Sequence, residues 1–270
     1  MQNITSTHAV ANSSAPQMTF SDSTDPSPQA MDNRVIELYL STKLMDDPDG
    51  AQEKKTRLRQ FVHHDKTIRS AKCVSEDDTT QGIVFKVDIE GNIYCLKLFK
   101  QWTWTPTVPV RERTQMLHSP FACESRAFAR LIDHNHNGTW AVKCHGWMQL
   151  TERQFAVLES ATTTTARTLN NFTCSQQQPL RFTCTRWAII KDYIPNPFRI
   201  TDIPEINRKL SIPKSLLIKP EDFYPRNFRE SFFVDLGSTQ TYPCPPFWSE
   251  FSYRWFYETA PDYVRTWEEG

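Results

Sequence analysis

The sequence predicts an α+β domain: a small antiparallel sheet with one inward-facing helix, followed by a shorter second half. Three observations predict it. Residues 83–89 alternate, with Ile83, Phe85, Val87 and Ile89 on one side. Glu90-Gly91-Asn92 makes a turn, and 93–99 forms the return strand of a hairpin. On residues 120–132, Phe121, Glu124, Phe128 and Leu131 fall within about 80° of one another at ~100° per residue, the stripe of a core-facing helix. The third observation links the two elements. Lys97 shares a strand face with Ile93, Cys95 and Phe99, and Glu124 lies inside the apolar stripe. Burying either charge alone costs several kcal/mol, so each predicts the other as its partner.

The remaining elements follow in order. Residues 1–32 are rich in Ser, Thr, Asn, Gln and Pro and predict a disordered tail. Residues 33–65 predict a helical leader. Val35, Ile36, Tyr39, Leu40 and Leu44 recur at helical spacing, and 51–63 carries a basic face of Lys54, Lys55, Arg57 and Arg59, read as solvated. The main domain spans 66–270, with its sheet-bearing part over 66–194 and the rest over 195–270. A Pro- and Trp-rich connection at 101–120, with Trp102 and Trp104, reads as a cover for the sheet. Residues 140–150 read as a strand, and 157–181, rich in Thr, Asn and Gln, as an inserted surface loop. A further strand at 187–194 is stopped by Pro195-Asn196-Pro197. Residues 206–216 are weakly helical, and 245–269 close the chain with aromatic and acidic residues.

Composition excludes several function classes. Lys plus Arg and Asp plus Glu are 31 each, so no basic excess supports a nucleic-acid coat or an acidic-membrane binder. Protein partners are expected instead, with neither a membrane nor direct sequence-specific nucleic-acid binding. The glycines are too far apart for G-x-G-x-x-G or a Walker-type loop. Seven cysteines, an odd number without C-x-x-C, fit neither a disulfide framework nor a zinc ribbon. The absence of a charged-then-apolar leader points to a nuclear or cytoplasmic protein.

Two later segments carry the chemistry. Residues 222–227 read Asp-Phe-Tyr-Pro-Arg-Asn, and 232–237 read Phe-Phe-Val-Asp-Leu-Gly. Together with Lys97 and Glu124, they resemble the protein-kinase-like superfamily, with its D-x-x-P-x-N catalytic loop and D-F-G segment. Leu236 stands in place of Phe. The resemblance implies a kinase-like fold with a truncated C-lobe, and ATP and Mg²⁺ as cofactors. It implies Asp222 as base or substrate positioner, Lys97 on the phosphates and Glu124 as the clamp on Lys97. Asn227 and Asp235 would hold the metal. Gly82, Val84, Cys95, Asp192 and Ile194 would line the nucleotide site beside Lys97, the last two from a hinge-like Ile190-Lys191-Asp192-Tyr193-Ile194. Phosphoryl transfer asks mainly for positioning and charge, which these residue types supply.

Within 66–240 the residues around these motifs are similar to a fungal kinase-like family of inner-kinetochore subunits. The similarity rests on Leu96-Lys97-Leu98-Phe99-Lys100, on Pro120-Phe121 through Phe128, on Arg226-Asn227-Phe228 and on Val234-Asp235-Leu236. The pattern also departs from that of kinases. Asp77 and Thr79 stand where the first two loop glycines belong, Pro220 and Glu221 where His-Arg precede the catalytic Asp, and Tyr224 where many kinases have Lys. Only 33 residues follow Gly237. Two readings stand: a pseudokinase-type scaffold, which the departures favour, and an active ATP/Mg-dependent phosphotransferase.

Overall fold

The computed structural model describes residues 39–47, 57–75, 81–101, 118–168, 184–243 and 248–268. The tail over 1–32, Lys54 and Lys55, Asp77 and Thr79, Trp102 and Trp104, and residues 169–181 lie outside the described residues.

A seven-stranded sheet organises the chain. Its strands are β1 (Leu40–Leu44), β2 (Leu58–Gln60), β3 (Ile68–Cys73), β4 (Gly82–Ile89), β5 (Asn92–Lys100), β6 (Cys144–Gln149) and β7 (Cys184–Asp192). The spatial order is β1-β2-β6-β7-β5-β4-β3. The pairs β1–β2 and β2–β6 are parallel, and the others are antiparallel. The β4–β5 hairpin forms as the alternation predicts. Glu90 and Gly91 both take positive φ, 54° and 80°, the handedness a two-residue hairpin turn requires. The Asp88 carboxylate accepts from the Gly91 N–H at 3.0 Å.

Both faces of the sheet are covered. One carries Lys97, Phe99, Trp147, Trp187 and Ile189 and meets α1 (Pro120–Asp133). The other carries Phe85, Val87, Leu96, Leu98 and Ile190 and packs against Phe155 and Leu158 of α2 (Glu152–Thr168). The second half supplies α3 (Ile203–Lys209), α4 (Ser211–Ser215), β8 (Ile218–Lys219), β9 (Phe228–Arg229), β10 (Phe232–Phe233), β11 (Gln240–Thr241) and α5 (Glu250–Arg265). Here β8 pairs with β11 and β9 with β10. The main core runs through both halves. It holds Trp140, Phe128 and Ile189 together with Phe228, Phe233, Tyr257 and Val264.

Two expectations are corrected. The helical leader over 33–65 is, in its described residues, the strands β1 and β2. Leu40 and Leu58 are fully buried, and they pair with each other at the sheet edge. The indole N–H of Trp147 donates to the Ser41 carbonyl at 2.9 Å, and the Phe61 N–H donates to the Trp147 carbonyl at 2.8 Å. Tertiary pairing satisfies this backbone more fully than a short isolated helix does, and it overrides the local periodicity. The surface loop over 157–181 is also corrected. Its first part, through Thr168, continues α2, and this helix covers the second apolar face of the sheet. Thr is a weak helix former, but the apolar face beneath had to be buried.

Candidate functional site

Three elements converge on one buried carboxylate. Helix α1 is started by Ser119, whose hydroxyl accepts from the Ala122 N–H at 3.2 Å, with Pro120 in the first turn. One turn further on, Glu124 faces the sheet with 0% of its surface exposed. Strand β5 presents Lys97, whose ammonium donates to Glu124 Oε2 at 2.8 Å. Strand β7 presents Lys191, which donates to Glu124 Oε1 at 2.7 Å and to the Val234 carbonyl at 2.8 Å. Both lysines are 3% exposed.

The segment after β10 completes the network. Asp235 Oδ1 accepts from Lys97 at 2.7 Å and from the Gly237 N–H at 2.9 Å. Gln81, just before β4, accepts from Lys97 at 3.4 Å and donates through Nε2 to the Ser238 hydroxyl at 2.6 Å. Two ammonium groups thus face two carboxylates, and the charges cancel. An ammonium has three N–H donors, and those of Lys97 go to Glu124, Asp235 and Gln81.

The titration behaviour follows from this packing. Burial pushes the Asp235 carboxyl up. The ammonium charges of Lys97 and Lys191, with hydrogen bonds from Lys97 and Gly237, pull harder and leave it at about 2. Burial alone lowers Lys97, but Asp235 and Glu124 outweigh it and hold the ammonium above the ordinary lysine range. Burial raises the Cys95 thiol, opposed in part by Lys191.

The other expected site residues sit nearby in separate local arrangements. Asp222 Oδ1 accepts from Arg226 at 2.7 Å, and the Asp222 carbonyl accepts from Asn227 Nδ2 at 2.8 Å. A backbone bond joins the two motif segments: the Val234 N–H donates to the Asn227 carbonyl at 2.9 Å. Asp192 is bound to His145 Nε2 at 2.6 Å. Ile194 packs against the main core. Val84 lies directly opposite Lys97 in the β4–β5 register, and Cys95 opposite Lys191 in β5–β7. Gly82 lets β4 approach β5 closely, since a Cβ there would lie 2.6 Å from the Leu98 carbonyl oxygen.

The structure therefore brings together Lys97, Glu124 and Asp235, and joins Asp222 to Asn227. It adds two residues that the sequence reading missed, Lys191 and Gln81. Lys191 had a signal: it shares strand parity with Trp187 and Ile189, both of which face the core. Gln81 had none beyond its place before Gly82.

Residues 43–240, most of the chain, match the family model described as kinetochore Sim4 complex subunit FTA2. No curated protein matches the chain.

Proposed function

The chain belongs to the FTA2 family of kinetochore Sim4 complex subunits, and from that premise we propose that it is a nucleotide-independent binding module of a nuclear kinetochore assembly. In this reading it has a kinase-like core of the pseudokinase type. Its Lys97, Glu124, Asp222, Asn227 and Asp235 are retained for architecture rather than for phosphoryl transfer.

One observation carries the proposal: all three N–H donors of Lys97 are used inside the protein. The groups implied by the resemblance, ATP and Mg²⁺, do not fit that arrangement. A triphosphate reaching Lys97 would displace Gln81 or Asp235. A metal ion on Asp235 would share a carboxylate that Lys97 already holds through Oδ1. The outside of the fold suits a subunit. On α5, Phe251 is 79% exposed and Trp255 is 58% exposed. Aromatic residues left in water like this are enriched where a partner covers them.

The test is thermal. With ATP at about 100 times a typical dissociation constant, a real site adds roughly 2.7 kcal/mol, a rise in Tm of roughly 5–10 °C. The wild-type chain should show no such rise with or without Mg²⁺. The Asp222→Ala variant should enter the kinetochore complex as wild type does. A Mg²⁺-dependent rise that is lost in Asp235→Asn would instead establish a working nucleotide site, overturn this reading and reopen the phosphotransferase one.

A further inference from the structure

The closed network has one weak member, and it lies on the side from which a ligand would come. Glu124 sits behind Lys97 with no exposure, while Asp235 keeps 29% of its side chain in solvent and Gln81 is half-buried. The Lys97 bonds to Glu124 and Asp235 are short ion pairs, at 2.8 and 2.7 Å. The third, to the Gln81 amide oxygen, is 3.4 Å long and pairs a charge with a neutral group. It is the bond that an incoming anion would replace first.

The surroundings of Gln81 are built to keep it there. Its backbone carbonyl accepts from the Lys100 N–H at 3.1 Å, which extends the β4–β5 ladder by one residue. The neighbouring Gly82 allows the close strand approach that brings residue 81 over Lys97. Opposite, Gly237 leaves room for the carboxamide: a Cβ at Gly237 would fall 1.9 Å from Gln81 Oε1. The amide then reaches across to Ser238 at 2.6 Å. One side chain thus spans from the start of β4 to the 235–238 segment and reaches the Lys97 ammonium.

We propose that Gln81 is a built-in pseudo-ligand: its carboxamide occupies an oxyanion position on Lys97, holds the 235–238 segment closed without nucleotide, and is the residue that excludes polyphosphate anions from the site. The inference deepens the binding-module reading and rests on it. It assigns the exclusion to one neutral side chain rather than to the charged pairs, which remain intact when Gln81 is shortened.

Inorganic tripolyphosphate is the probe, and Tm is the readout, for wild type, Gln81→Ala and Gln81→Ala combined with Lys97→Met. At ten times its dissociation constant a bound anion raises Tm by about 3–6 °C for a domain of this size. Wild type should not respond. Gln81→Ala should respond by that amount, and the response should vanish in the double variant. Gln81→Ser supplies a second route: its shorter side chain leaves the oxyanion position open and should confer the same response, whereas a methyl at Gly237 would fall 1.9 Å from the place of Oε1 and fill that position itself. If Gln81→Ala and Gln81→Ser are both folded and both unresponsive, the pseudo-ligand assignment is overturned while the binding-module reading stands. If wild type itself responds to tripolyphosphate and to Mg·ATP, the binding-module reading falls with it. A response in Gln81→Ala that persists without Lys97 places the anion elsewhere and also overturns the assignment.

Discussion

Asp235 is the residue through which the buried network becomes sensitive to pH. Its carboxyl sits at about 2 in the folded protein against an ordinary 3.8. A depressed folded value contributes stability that is present above the unfolded value and is lost as pH falls toward the folded one. The shift corresponds to about 2 kcal/mol. Asp235→Asn keeps the shape and removes this term. Urea unfolding should therefore show the variant less stable by about that amount at pH 5–7, with the gap closing between pH 4 and 2.5. A gap that stays constant over that interval would mean that the Lys97–Asp235 pair does not stabilise the fold. At this scale the sequence was most legible where a charge broke an apolar stripe. Lys97 on its strand and Glu124 on its helix each demanded a partner, and the two meet at 2.8 Å. Lys191 broke a stripe in the same way, yet it stood at the end of its strand, beside a proline-rich stop, where a lysine is usually solvated. Gln81 was not legible, because a neutral amide violates no pattern; only the space left by Gly237 reveals what it does.

Among the elements, α2 shows how the sheet decides what its neighbours become. Its sequence, with threonines at 162–165, lacks a strong helical pattern. The helix is secured at its start by Gln154, which is 3% exposed. Gln154 Oε1 accepts from the Thr151 N–H at 2.9 Å, and its Nε2 donates to the His64 and Lys66 carbonyls at 3.0 and 2.6 Å. One amide thus joins the helix start to the turn between β2 and β3. Gln154→Ala should cost about 1–2 kcal/mol, since it removes a buried amide and its bonds to two partly buried carbonyls. Gln154→Glu removes only the Nε2 donor, and it should be no better than Ala if the two carbonyl bonds matter most. Chemical denaturation of the three proteins distinguishes these outcomes, and a loss below about 0.5 kcal/mol in both variants would rule out the anchoring role. The same logic explains the misread leader. The spacing of Tyr39, Leu40 and Leu44 suits a helix in isolation, but an open edge beside β6 offered backbone partners over 40–44 and 58–60. The β4–β5 hairpin and α1 were legible because their local pattern and their tertiary role agree.

Over the whole molecule, the sheet-bearing part and the part after residue 194 are held together by more than adjacency. The main core draws on both. Lys97 and Lys191 reach across to Asp235 and to the Val234 carbonyl. Arg126 donates to the carbonyls of Thr241 and Pro243, and Arg130 to those of Leu216 and Tyr242, so α1 is tied to the second half along much of its length. Phe233 exchanges backbone bonds with Trp140 and Val142 at 3.1 and 3.0 Å. A nucleotide-binding enzyme commonly keeps such halves loose so that one can close on the other. Here ion pairs, side-chain bonds and backbone bonds tie the two halves at many points. The two halves should therefore unfold as one cooperative unit. Hydrogen exchange across a denaturant series makes the comparison directly, using peptides from β5 (Asn92–Lys100) and from α5 (Glu250–Arg265). Their most protected amides should report the same opening free energy and the same dependence on denaturant. If the α5 amides open more than about tenfold more readily, a gap of about 1.4 kcal/mol, the halves are separable and the rigid-module account fails. If they open together, and Asp235→Asn lowers both by the same amount, the buried network is part of what makes the two halves one body.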